Sequence, residues 1–177
     1  ANADTSAAQA TTVAFLPWRN LTGDPNNDYL AEMLPAELSV TLAKSDKVSV
    51  LTHYSSLAFA SNAKDPQQSI DHAYLVQGSI TQASERIRLL VKLVDTHSSN
   101  ILWSEVYEDN MQALLALNAA IIQDISTQLF GAGSPLHTSN SIDNLDITAY
   151  KAYLKGNYWW MNGKTSEWFA RAVSAFK

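Results

Sequence analysis

Strict alternation of apolar and polar residues marks the middle of the chain. Tyr74, Val76, Gly78 and Ile80 alternate with Gln77, Ser79 and Thr81. Across Ser84-Glu85, Ile87, Leu89, Val91 and Leu93 alternate with Arg86, Arg88, Leu90 and Lys92. A period of two predicts an antiparallel hairpin with one face buried and the other largely wet. The turn Asp95 to Asn100 leads into a third strand, Ile101 to Tyr107. Earlier, Thr12 to Trp18 reads as a strand leaving a sheet at Pro17, and Val48 to Leu51 as a second short strand.

Helical spacing appears in three places. Leu30, Leu34, Leu38 and Leu42 fall four apart, and the helix between the first two strands makes a βαβ-like unit. Asn26 or Asn27 is placed to cap that helix. Pro35 lacks a donor and clashes one turn back, so the helix either kinks there or begins near Met33. Leu114, Leu115, Ile121, Ile122, Ile125 and Leu129 predict a long helix over Met111 to Phe130, stopped by Gly131. Ile147 to Met161 and Thr165 to Phe176 read as two helices about Asn162-Gly163. Between them and the first part, 131–144 is rich in Gly, Ser, Thr and Asn and reads as a linker. Arg19 to Asn27 is read as a loop, and Asp65-Pro66 as the opening of a short helix to about His72. Ser55 to Ala63 fits neither period.

The 177 residues fit one ordinary domain, or one plus a small appendage, and 46% hydrophobic residues are enough for a core. Residues 1–10 are small and polar and read as a linker or an expression scar. The chain stops inside a helical segment and reads as a fragment, so a membrane anchor is expected outside it. A net charge of −5, with twelve basic residues scattered among seventeen acidic ones, argues against direct nucleic-acid binding. No run reaches the roughly 18 apolar residues of a membrane span. The absence of cysteine removes disulfides, thiol catalysis and thiolate metal sites.

Several ordered motifs resemble one family. They are Thr12-Val-Ala-Phe-Leu-Pro-Trp18, Asn20-Leu-Thr-Gly-Asp-Pro25, Val76-Gln-Gly-Ser-Ile80 and Ile101-Leu-Trp-Ser-Glu-Val-Tyr107. Over about two-thirds of the chain this resembles the TolB-like amino-terminal α/β domain. Such domains occur beside adenylate cyclase modules and in the periplasmic parts of CadC-type membrane-anchored transcription regulators. Departures are Glu32-Met33, where the family commonly has Asp-Gly, and Thr81, where it has Arg. CadC-type sensors can carry a disulfide here; this chain has no cysteine for one. Tyr150-Lys-Ala-Tyr-Leu-Lys-Gly-Asn-Tyr-Trp-Trp160 and Ala172-Val-Ser-Ala-Phe176 resemble the two helices of a tetratricopeptide-type repeat, with a spacing about one turn too long.

Candidate chemistry is sparse. His53, His72, His97 and His137 sit on different elements without ligand spacing, so no metal and no cofactor is expected. No nucleophile elbow, Ser-x-x-Lys pair or phosphate loop occurs, and no catalytic residue is assigned. The surplus is aromatic: Tyr153, Tyr158, Trp159, Trp160 and Trp168, with Trp103 and Tyr107 on the last strand. One reading packs these rings between helices and sheet. The other has Trp103, Tyr107, Tyr158, Trp159 and Trp160 lining a groove for a small amine or apolar ligand, with Asn162 and Glu167 as polar partners.

The fold expected is α/β, a small mixed sheet with helices mainly on one face, followed by a C-terminal helical hairpin. The domains expected are 11–130, a linker at 131–144, and a repeat start at 145–177. The resemblance implies a non-enzymatic sensory or interaction domain, the periplasmic part of a CadC-type regulator in a bacterial inner membrane. The alternative is a docking accessory to an adenylate cyclase module, on the cytoplasmic side. Its partner would be an unknown small ligand or protein, and the sensor reading allows a homodimer.

Overall fold

A computed structural model describes residues 11–51, 73–131 and 146–162. The strands are β1 (Thr11–Phe15), β2 (Arg19–Asn20), β3 (Val48–Val50), β4 (Ala73–Ala83), β5 (Arg86–Asp95) and β6 (Ile101–Asn110). The helices are α1 (Asp28–Leu42), α2 (Leu114–Phe130) and α3 (Ile147–Asn162). They form one mixed sheet in the order β3-β1-β4-β5-β6, with β2 added beside β4. β1 pairs in parallel with β3 and β4, closing the βαβ unit, whereas β4, β5 and β6 are antiparallel. The fold is thus the α/β arrangement expected. The second helix of the expected hairpin and the segment 55–72 lie outside the described residues.

The register agrees with the alternation. Ile80 pairs with Leu89 and Val76 with Leu93. Leu34, Leu38, Val76, Ile80, Leu89, Val91, Ile122 and Ile125 all join one buried cluster, while Arg88 stays exposed. Contrary to the expectation that no run is long and apolar enough for a membrane span, the stretch Met111–Phe130 meets that test by length and composition among the described residues. Here Leu114, Ile121, Ile122 and Ile125 are buried in the same core, so it serves as a core helix. Tyr150 and Leu154 of α3 also enter that core, and α3 packs along α1.

Four local expectations are corrected. First, of the two alternatives at Pro35 a start near Met33 is overturned, since α1 begins at Asp28 and runs through Pro35. Pro35 has no N–H for the carbonyl of Ala31, and the Trp18 N–H donates to that oxygen instead, at 2.8 Å. Second, neither Asn26 nor Asn27 caps α1 through its side chain; the Asp24 carboxylate caps the preceding 3-10 turn by accepting from the Asn26 N–H at 2.9 Å. Third, Arg19 and Asn20 are not loop but a short strand against Ser79 and Ile80. Fourth, the outer sheet face is not wet throughout: Ala14, Leu16, Leu75 and Val94 form a second buried cluster.

The motif Asn20-Leu-Thr-Gly-Asp-Pro25 has a structural role. The Asn20 amide donates to Asp28 Oδ1 at 2.6 Å and to the Asp24 carbonyl at 2.9 Å. Its carbonyl accepts from the Thr22 N–H and hydroxyl at 3.0 and 2.7 Å. Gly23 supplies a φ of +79°, open to glycine at little cost. These local bonds fix where α1 enters, and Asn27 ties the loop to the sheet by donating to Gln82 Oε1 at 3.1 Å.

Candidate functional site

α1 carries two side-chain rows. Leu30, Leu34, Leu38 and Leu42 are fully or almost fully buried. Met33, Glu37 and Val40 form the neighbouring row, since positions three and four apart share a helix face. α3 presents Tyr153, Asn157 and Met161, again four apart. The two rows, with Val50 and Leu51 at the sheet edge, wall a groove of about 450 Å3.

The groove has apolar walls and one carboxylate. Burial pushes the Glu37 pKa up, against the lowering effects of the Tyr153 hydrogen bond and the Lys44 charge. The Tyr153 hydroxyl donates to Glu37 Oε1 at 3.1 Å across the helix seam. Burial and then the Glu37 charge push the Tyr153 phenol up in turn. Asn162 Nδ2 makes a second seam bond, to Glu32 Oε2 at 2.9 Å. A further bond joins α2 to α3, where Asn118 Nδ2 donates to the buried Tyr150 hydroxyl at 2.9 Å. Lys155 Nζ lies 5.1 Å from the centroid of the Tyr29 ring, whose buried phenol is pushed up to about 12. A lone carboxylate with a phenol and an amide can hold a cation. It lacks the paired acid and base of a hydrolytic centre. Among the described residues no group of three or more His, Asp or Glu stands close enough to hold a metal ion.

The five aromatic residues singled out by the sequence fall into two sets. Trp103 and Tyr107 are neighbours on β6, with ring centroids 6.4 Å apart. Trp103 is partly buried against the core, and the buried Tyr107 donates its hydroxyl to Asp124 Oδ2 of α2 at 2.6 Å. Burial first, then that bond and the Asp124 and Glu105 charges, push the Tyr107 phenol far up. Tyr158 and Trp159 meet edge to face at 5.0 Å on α3, and Trp160 is 64% exposed. None of the five lines the groove or the two other cavities described, although Tyr153 does. Asn162 faces Glu32 outside the groove lining; Glu167 and Trp168 lie outside the described residues. Glu37 and Met33 were missed. Their signal was a second row beside the leucine row, holding an acid and a methionine where a solvated face is usually charged throughout.

No family model matches the chain. It is 26% identical over 121 residues to a protein of Rhizobium meliloti (strain 1021) named "Putative adenylate cyclase 3". The match covers 67% of this chain and 21% of that protein, so the chain spans about a fifth of its relative's length. Among solved structures, TolB from Acinetobacter baumannii gives a TM-score of 0.47 at 17% identity, over 70% of this chain and 29% of that one. Lipoprotein GNA1162 from Neisseria meningitidis gives 0.47 at 17%, over 67% and 99%. The LpoB C-terminal domain from Escherichia coli gives 0.43 at 17%, over 57% and 83%.

Proposed function

We propose that this chain is a non-catalytic recognition domain of a larger bacterial signalling protein, and that it reads its partner in the groove between α1 and α3. The observation that carries this reading is Glu37, a carboxylate drawn into an apolar-walled groove and hydrogen-bonded across the seam by Tyr153. Its complement is a cationic group on an apolar stem, in a small amine or on a protein partner. Because α1 and α3 form opposite walls, an occupant that favours one spacing of the helices would shift the population of seam arrangements. That shift is the signal in this reading.

Two settings suit such a module. An accessory role beside an adenylate cyclase is supported by the relative of that name, which is nearly five times longer than the matched segment. The periplasmic part of a CadC-type regulator, on the outer side of an inner membrane, is supported by the motifs from Leu16-Pro17 to the Gly78-Ser79 strand. In both, residues 11–130 form the recognition domain, 131–144 link it, and 145–177 begin a repeat region that supplies the second wall. Tyr158, Trp159 and Trp160 then widen the contact surface along α3, and Trp103 and Tyr107 belong to a separate patch on β6. Direct nucleic-acid binding is no part of this reading.

The test is a titration of hexylammonium into the isotopically labelled chain, followed by amide chemical shifts. Saturable shifts at Met33, Val40, Asn157 and Met161 are expected, weakened at least about tenfold by Glu37→Gln, since a hydrogen bond to a charged group contributes about 1.5–3 kcal/mol. Equal binding by Glu37→Gln, or no saturable response, would refute the groove. Cyclic nucleotide production from ATP by the purified chain would overturn the non-catalytic assignment.

A further inference from the structure

The outer face of the sheet holds a second cavity, of about 480 Å3, built from different residues. Its floor follows from the register. Arg19 pairs with Ser79, Ser79 with Leu90, and Gln77 with Lys92. Paired residues share a face, and Gln77 and Ser79, like Leu90 and Lys92, are two apart and point the same way. Arg19 and Lys92 therefore stand diagonally across a floor of Ser79, Gln77 and Leu90. Two strand spacings and two residue steps put their backbones about 12 Å apart. Lys92 carries its charge on a flexible stem that can lean inward.

The lining contains these two cations and no acid. The described ion pair on this sheet, Arg86 with Glu108 at 3.1 Å, uses a different arginine further along the strands. In a chain of net charge −5, two cations beside no acid form a local positive field. Beside them the walls are apolar. Leu16 and Leu90 line the cleft with Leu21, which is 52% exposed. Val106, paired with Leu90 across β5 and β6, extends that surface and is 38% exposed. The volume lies within the roughly 300–1,000 Å3 of small-molecule sites.

We propose that this cleft binds a small amphiphilic anion, a carboxylate with a short apolar body. The carboxylate sits between Arg19 and Lys92, where Ser79 and Gln77 offer further donors. The apolar body covers Leu21, Leu90 and Val106. No residue of this site lines the α1–α3 groove, so each site stands or falls separately.

The probe is octanoate, titrated into the whole chain at low salt and followed by amide chemical shifts, with octylammonium and octan-1-ol run in parallel. Octanoate should saturate shifts at Arg19, Ser79, Leu90 and Lys92, and added salt should weaken it. Lys92→Gln should weaken octanoate about tenfold, and Arg19→Gln by a similar factor. Lys92→Arg, which keeps the charge, should retain most of the affinity, and circular dichroism checks that each variant folds. The proposal is overturned if octylammonium or octan-1-ol binds there as tightly as octanoate. It is also overturned if Lys92→Gln binds like the parent, or if no saturable shift appears by about 10 mM.

Discussion

Substitution of Gly78 by alanine tests how the sheet and the α1 entry loop are joined. A Cβ on Gly78 would stand 2.7 Å from the carbonyl oxygen of Leu90 and 2.8 Å from Cδ2 and Cε2 of Trp18. Neither neighbour yields easily. The oxygen belongs to the backbone of the adjacent strand, and Trp18 is only 4% exposed. Trp18 also donates its backbone N–H to the Ala31 carbonyl that Pro35 leaves without a helical donor, so a backbone shift at Trp18 that makes room for the new Cβ would disturb α1 as well. Reduced freedom of the unfolded chain favours alanine by about 0.4–1 kcal/mol. Overpacking opposes it by about 1–3 kcal/mol. The clash wins over nearly all of that range, with a net loss of up to about 2.6 kcal/mol, or a few degrees in Tm for a chain of this size. Urea unfolding followed by tryptophan fluorescence and circular dichroism reads it. Gly23→Ala is the control: nothing lies within 4 Å of its Cβ, and its φ of +79° makes the cost one of backbone strain, about 1–2 kcal/mol. Asparagine should recover part of the loss at Gly23 and none at Gly78. A Gly78→Ala protein as stable as the parent, with its tryptophan emission unchanged, would refute the close approach.

Leu89→Ala should cost about 2–5 kcal/mol in denaturant unfolding, because Leu89 is fully buried at the centre of β5; a loss below 1 kcal/mol would contradict that packing. Tyr107→Phe leaves the half-buried Asp124 without its phenol donor and should cost about 1.5–3 kcal/mol at neutral pH, checked by the same assay. Glu37 predicts a pH dependence. Its carboxyl holds a proton more tightly folded than unfolded, so its contribution to stability is lost as pH rises from the ordinary carboxylate value through the raised one. Glu37→Gln should flatten the Tm profile in that window, and an unchanged profile would contradict the burial. Hexylammonium affinity should run the other way, falling as pH drops through the same window, since the cation needs the ionised form.

Periodicity fixes what is local. Alternation over 74–93 sufficed to place the hairpin, its buried face and its register, because a one-residue slip would turn Leu89 and Val91 outward. Spacing of three and four along 111–130 likewise sufficed for α2 and its stop at Gly131. Pro35 shows where local reasoning ends. Its missing donor was evident, but the remedy comes from Trp18, a residue that only the returning chain brings beside Ala31. The same limit applies to the sites. Tyr153 was visible as one ring in an aromatic run, yet its bond to Glu37 joins residues 116 positions apart. The Arg19 and Lys92 cleft depends on β2 adding beside β4, a pairing of two residues too short to carry a period. The sequence alone determined which face of the hairpin and of the leucine-bearing helices must be buried, since spacing sets which apolar groups share a face. It did not disclose the second cluster of Ala14, Leu16, Leu75 and Val94. Only the tertiary structure decided which polar groups those faces bring together, because hydrogen bonds and charge pairs depend on distances between segments remote in the chain.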